Sequence, residues 1–279
     1  MKKLKLISLF LLSLSTAIAQ DDITLCHTPA IDKFALFASN ADFNVSHEDP
    51  TPYVHQSETG KMITFKTSGS DANGYVLKTK TQTNNWVFVF QEWWGLNDHI
   101  KREAEDYFTA LGNVNVLALD MYDGKVATGR EDAGKYMGEF KSQRGEEIIK
   151  GALALTGKSA KVATVGWCFG GGLSLQASIL AGQQAVACVM YYGMPEENVD
   201  KLKTLNCDVL NIWPTQDQWI NKNVMDKFES NMKAAGKNLT IKSYEADHAF
   251  ANPSNPKFNK EFTGDARTHV LEFFATRLR

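Results

Sequence analysis

The stretch Val162-Ala163-Thr164-Val165-Gly166-Trp167-Cys168-Phe169-Gly170-Gly171-Gly172 decides how this chain is read. Its first part is an apolar, β-branched run of the kind found in strands buried on both faces. Residues 173–180 beyond it have a helix-like pattern, starting near Gly171. Cys168 lies between, in a Gly-x-Cys-x-Gly pentapeptide. Strand, sharp turn and helix make a nucleophile elbow, with cysteine where serine is more familiar. The glycines have a steric reason: the backbone of so tight a turn is strained, and flanking side chains would strike the neighbouring strand and helix. A thiolate at a helix N-terminus gains from the helix dipole and unpaired N–H groups. The competing reading of Cys168 is an inert core thiol. Phosphate binding by the glycine run finds no support, because neither a P-loop nor a dinucleotide fingerprint is present.

Around this segment, strands alternate with helices. Residues 62–65 and 74–77 read as an antiparallel pair across a Gly/Ser/Asp turn. Strands are expected at 86–90, 114–119, 161–167, 185–191, 209–213 and 239–244. Helical spacing covers 98–111, 133–155, 173–180, 199–205, 224–235 and 265–278. Alternation of this kind predicts an α/β fold: a mostly parallel central sheet with helices on both faces. Sites in such sheets form beyond the carboxyl ends of the strands.

Asp217 and His248 both fall there, in the order nucleophile, acid, base that the α/β-hydrolase fold requires. Asp217 follows the 209–213 strand; its alternative role is a turn or capping residue. His248 follows the last strand, and its alternative is a loop histidine with a structural hydrogen bond. His27, His47 and His55 lie in an irregular N-terminal region, His99 precedes the elbow, and His269 is in the last helix. Glu92 ends the 86–90 strand, in the loop that supplies an oxyanion N–H in this fold, here from Trp93. The second N–H is that of Phe169, directly after the nucleophile. No His, Cys and Asp cluster has metal-ligand spacing, and neither a metal nor another cofactor is expected.

The ends of the chain add an address and an extension. Lys2, Lys3 and Lys5 precede a short apolar run, residues 6–14, and Ala17-Ile18-Ala19 gives a small-x-small cleavage pattern. Residues 1–19 therefore read as a signal peptide, implying export to the periplasm or the extracellular space. The alternative is an N-terminal anchor, although the run is short for a bilayer span. Residues 20–60 read as an extension draped on the domain, with a short helix around 31–38, and residues 61–279 as one α/β domain. The formal charge of −2 becomes −5 once three leader lysines are removed, and no basic stripe points to nucleic acid. Of the four cysteines, Cys188 and Cys207 sit in apolar runs as buried thiols, and Cys26 lies in the extension. Four cysteines are too few for a disulfide scaffold, and no Cys-x-x-Cys suggests a redox motif.

Several segments together resemble the dienelactone hydrolase family. They are 62–65 with Ala72-Asn73-Gly74-Tyr75, Gln91-Glu92-Trp93-Trp94-Gly95-Leu96, the elbow, Asp217, and His248-Ala249-Phe250-Ala251. The resemblance implies a Cys-Asp-His hydrolase cleaving a small ester or lactone through a thioester. It also implies that Glu92 keeps the resting thiol neutral until substrate arrives. Arg130 matches the first of two arginines that grip a substrate carboxylate in dienelactone-specific members, but Asn252 stands where the second would be. An amide does not replace a bidentate charge clamp. Positions that carry aromatic pocket residues in those members are Gly134 and Met137 here. Trp93, Trp94, Trp167, Trp213 and Trp219 instead suggest an aromatic pocket for a bulkier or less acidic substrate, with Trp94 and Asn252 in contact with it. The expected partner is that small molecule, with no nucleic acid or membrane, acting on a monomer. The alternatives are a broad carboxylesterase or thioesterase, a non-catalytic ligand-binding protein on the same scaffold, and a redox-sensing thiol protein.

Overall fold

A computed structural model describes residues 29–279 apart from Ser254 and Pro256. The signal peptide expected at 1–19 and Cys26 lie outside the described residues. Eight strands among the described residues form one sheet. They are β1 (Lys61–Phe65), β2 (Ala72–Leu77), β3 (Asn85–Phe90), β4 (Asn115–Leu119), β5 (Lys161–Trp167), β6 (Ala185–Tyr191), β7 (Asp208–Pro214) and β8 (Leu239–Tyr244). Their spatial order is β1-β2-β4-β3-β5-β6-β7-β8. β2 runs antiparallel to both β1 and β4, and every other pairing is parallel. The expected 62–65 and 74–77 pair is thus in place, with Met62 opposite Tyr75.

β5 is central. Phe88 of β3 lies beside Thr164, and Thr164 beside Cys188 of β6, so the strand that ends at the elbow has a neighbour on each side. Almost every residue of β3, β4 and β5 is buried, which explains their unbroken apolar sequences. The edge strands β1 and β8 are largely exposed or half-buried and carry lysines, which discourages edge-to-edge pairing.

The helices are α1 (Ala30–Ala35), α2 (Ala41–Ser46), α3 (Asp98–Leu111), α4 (Arg130–Glu139), α5 (Ser142–Thr156), α6 (Phe169–Ala181), α7 (Val199–Lys203), α8 (Lys222–Ala234) and α9 (Lys260–Arg277). α3 begins at the Asn97 side chain, which accepts a bond from Ile100 N–H, and ends at Gly112 with φ +71°. α3 and α9 pack together against the sheet, and α5 and α6 form a second such pair.

Three differences from the sequence pattern have physical causes. The helical region 133–155 is two helices, broken where Phe140 turns extended and sets its ring edge-on to Phe169 at 5.0 Å. α9 begins at Lys260, five residues before the expected 265, because the Asn259 side chain caps Phe262 N–H. α6 begins at Phe169 and includes all three glycines, poor helix formers that tertiary packing overrides. A Cβ at Gly171 would meet the backbone of Gly193 and Tyr191 at 2.8 Å, so the small residues let α6 lie close to the sheet. Below the elbow, Thr164 Oγ1 lies 2.7 Å from Ser174 Oγ and 2.8 Å from Ser178 Oγ, while Ser174 Oγ donates to Val189 O. This buried polar network ties α6 to β5 and β6.

The N-terminal region is more than a drape. Besides α1 and a 3-10 turn at Leu36–Ser39, it contains α2, for which residues 20–60 gave no sequence expectation. Phe34 and Phe43 are completely buried. Their rings meet at 5.8 Å, and Phe43 stands edge-on to Trp93 at 5.2 Å. The burial of two phenylalanines contributes roughly 3–6 kcal/mol to holding this segment in place.

Candidate active site

The site begins with backbone strain. Cys168 has φ +56° and ψ −119°, Tyr192 has φ +40°, and Ala249 has φ +60°. Such conformations cost a non-glycine residue about 1–3 kcal/mol and persist only where the surroundings enforce them. Two of the three residues follow strands β5 and β6 directly, and Ala249 follows His248. At the elbow, Cys168 N–H donates to Tyr191 O at 3.0 Å and Gly171 N–H to Cys168 O at 3.0 Å. The flanking glycines are required by contact: a Cβ at Gly166 would lie 2.1 Å from Gly170 O, and one at Gly170 2.3 Å from Gln91 O.

Asp217, in the turn after β7, is fixed before it meets the histidine. Its Oδ1 accepts from Trp219 N–H at 2.8 Å and Ile220 N–H at 2.9 Å. Oδ2 is thereby aimed at His248 Nδ1, 2.6 Å away. Both side chains are buried. Burial disfavours the charged imidazolium, but Asp217 and a Cys168 thiolate outweigh it and hold His248 well above its ordinary 6.5. That direction belongs to the ion-paired state, in which thiol and imidazole share one proton. Burial pushes the Cys168 thiol up, His248 and the Phe169 N–H oppose this, and Glu92 adds to the rise.

Glu92 follows β3 and is buried beside the pair. Burial raises its carboxyl to about 7, against His248, Tyr192 and Asn252, which favour its charged form. Asn252 Nδ2 donates to Glu92 Oε2 at 2.6 Å, and the Tyr192 hydroxyl to Oε1 at 3.5 Å. Asn252 therefore holds a carboxylate of the protein itself. The structure brings together Cys168, Asp217, His248, Glu92, Trp93, Phe169 and Asn252. Arg130 lies apart from them: its guanidinium pairs with Asp49 at 3.6 Å, and its backbone N–H donates to the same carboxylate at 2.9 Å.

A cleft of about 410 Å³, measured to its open mouth, reaches the site at Glu92 and Asn252. Trp94 and Trp167 line it, together with Arg102 and Glu103. The tryptophans expected to form one pocket divide: Trp93 and Trp219 pack on Phe43, and Trp213 Nε1 donates to Ile220 O at 2.7 Å. At Gly134, Ala38 O would come within 3.3 Å of a Cβ, so the N-terminal segment occupies the space an aromatic side chain would need.

Two residues at this centre have no place in the sequence expectations. Tyr192 sits just past the end of β6, a post-strand position that flags it in hindsight. His47 follows α2, remote from any strand, and no periodicity marks it. Its imidazole is buried, with ring centroids 5.4 Å from His248 and 4.8 Å from Trp93. Burial and the neighbouring His248 charge lower His47 to about 3, so it is neutral at physiological pH. Among the described cysteines, Cys168, Cys188 and Cys207 are free; Cys188 is buried and Cys207 half-buried.

A nucleophile position on the central strand, with acid and base on the loops after β7 and β8, is the layout of an α/β-hydrolase, and this chain has that fold. Solved structures agree on the fold. A dienelactone hydrolase-like promiscuous phosphotriesterase, P91 from metagenomic libraries, superposes with a TM-score of 0.67 at 22% identity, covering 78% of this chain and 98% of its own. Dienelactone hydrolase from Anabaena variabilis does so with a TM-score of 0.57 at 19% identity, covering 81% and 100%. The family model of the dienelactone hydrolase family matches residues 72–278, and the chain belongs to that family of hydrolases. Among its relatives, carboxymethylenebutenolidase 1 of Cupriavidus pinatubonensis is 27% identical over 230 residues, covering 77% of this chain and 96% of the relative. Protein usf of Aquifex pyrophilus is 28% identical over 204 residues, covering 69% and 87%.

Proposed function

We propose that this hydrolase cleaves a carboxylic ester or lactone with Cys168 as nucleophile, His248 as base and Asp217 as orienting acid. The observation that carries the reading is the convergence of an Asp217-bound His248 on a strained Cys168 at the head of α6. Sγ attacks the carbonyl carbon as the thiol proton passes to His248 Nε2. The alkoxide then leaves with that proton, and an acyl thioester stays on Cys168. Water attacks the thioester, losing its proton to His248, and the acid product and free thiol are released. The N–H groups of Trp93 and Phe169 face the developing oxyanion, each contributing about 3 kcal/mol. Asp217 keeps the Nδ1 proton on its own side of the ring, so Nε2 is the nitrogen that exchanges.

Glu92, with its carboxyl raised to about 7, is poised to gain or lose a proton near neutral pH. In its charged form it opposes a thiolate on Cys168, which keeps the resting sulfur protonated and less open to oxidation. The cleft sets Arg102 among Glu92 and Glu103, with two tryptophan walls. That balance favours an uncharged, partly aromatic ester or lactone over a dicarboxylate. Export is part of the proposal and rests on the leader-like residues 1–19.

The test is hydrolysis of a small aryl ester and a dienelactone by residues 20–279, beside Cys168→Ala. Turnover of the aryl ester that disappears in the variant, with an acyl adduct on Cys168 seen by mass spectrometry, is the expected result. Equal turnover in Cys168→Ala would remove the nucleophile assignment, and a strong preference for the dienelactone would overturn the substrate class.

A further inference from the structure

Outside the triad, the molecule places a second imidazole against the same sulfur. A ring nitrogen of His47, a ring nitrogen of His248 and Cys168 Sγ all lie within 4.8 Å of one another, and all three residues are buried. The orientation of the two rings is more specific than their proximity. His47 Nδ1 lies 2.7 Å from Phe43 O, so it donates there, and His248 Nδ1 lies 2.6 Å from Asp217 Oδ2. Both Nε2 atoms are buried; that of His248 faces the Cys168 thiol, and that of His47 has no hydrogen-bond partner among the described residues. One imidazole backed by a carbonyl and the other by a carboxylate, with the far nitrogens turned toward one sulfur, is how metal-binding histidines are held. The orphaned His47 Nε2 also costs stability, so a ligand that engages it would be favoured.

We infer that His47, His248 and Cys168 form a binding site for a zinc-class divalent ion, and that its occupancy switches the hydrolase off. Two imidazoles and a thiolate suit Zn2+, which takes three protein ligands and water in an open tetrahedral site. Bond lengths of about 2.0–2.3 Å put such donors roughly 3.3–3.7 Å apart, so the three groups close by about 1 Å. His47 is the C-terminal cap of the short helix α2, its ring packed against Phe43 and Trp93. Binding displaces the one proton shared by Cys168 and His248 to solvent. The metal then holds the sulfur lone pair and the Nε2 atom that the reaction needs.

Binding itself does not depend on the proposed catalysis; the inhibition does. The experiment separates the two. Co2+ added to the metal-free protein of residues 20–279 should give a thiolate-to-cobalt charge-transfer band saturating at one ion per chain and displaced by Zn2+. The band should vanish in Cys168→Ala, and His47→Gln should bind at least tenfold more weakly. Zn2+ should stop ester hydrolysis, and a chelator should restore it. No band in the parent protein, or equal affinity in His47→Gln, overturns the site. A Cys168 band with undiminished turnover would leave the binding site standing but overturn the switch, and with it the nucleophile reading. Should His47→Gln lose cooperative melting, imidazole nitrogen shifts in the parent protein decide. Zn2+ must move both His47 and His248, and an unmoved His47 overturns the inference.

Discussion

Glu92→Gln should make the protein more stable relative to the parent as the pH rises. The folded carboxyl is raised from 4.5 to about 7, chiefly by burial. Between those values an unfolded chain has released the Glu92 proton while the folded chain still holds it. Each pH unit in that window therefore lowers the stability of the parent by about 1.4 kcal/mol. Across the whole window the loss comes to about 3 kcal/mol, fully felt above pH 7 and absent below about pH 4.5. Glutamine keeps the shape and an acceptor oxygen for Asn252 but does not titrate, so its curve lacks this slope. The assay is denaturant or thermal unfolding of both proteins at about pH 4.5, 6 and 8. For a domain of this size, 3 kcal/mol corresponds to roughly 6–12 °C in Tm. A stability difference that is constant across those pH values would refute the claim that the native fold holds this carboxyl protonated.

Three further outcomes follow from the geometry. Asp217→Asn, with the Oδ1 bonds to Trp219 and Ile220 N–H retained, should leave Tm within a few degrees while kcat for ester hydrolysis falls about 10²–10⁴-fold. Gly170→Ala forces a Cβ to within 2.3 Å of Gln91 O and should cost about 3 kcal/mol or more, seen as a lowered unfolding midpoint. Phe43→Ala removes the ring between Trp93 and Trp219, and Cys168, only 1% exposed in the intact fold, should then be alkylated by iodoacetamide at least tenfold faster.

The sheet was legible because most of its strands are apolar runs ended by turn residues: strands 161–167, 185–191 and 239–244, and the helix 98–111, are recovered residue for residue. The convergence of Cys168, Asp217 and His248 was legible for a topological reason, since the fold fixes which loops converge and each of these loops has one suitable side chain. What escaped was non-periodic. Spacing could not show that Asn252 donates to Glu92 at the cleft, or that Arg130 pairs with Asp49. The glycines of α6 argue against helix locally, and the close approach of Gly193 reverses that argument. His47 gave no signal, because its importance lies in how two short helices fold back over the sheet.

That fold-back divides the protein's labour along its length. The proposed reacting groups lie within the 72–278 match, whereas Phe34, Phe43 and His47, packed beside them, come from a tract the family model does not reach. On the proposed reading, a different N-terminal tract over the same three residues would change what the site admits and how exposed its sulfur is. A recombinant fragment trimmed to the shared segment would keep Cys168, Asp217 and His248 and lose Phe34, Phe43 and His47, which pack beside them.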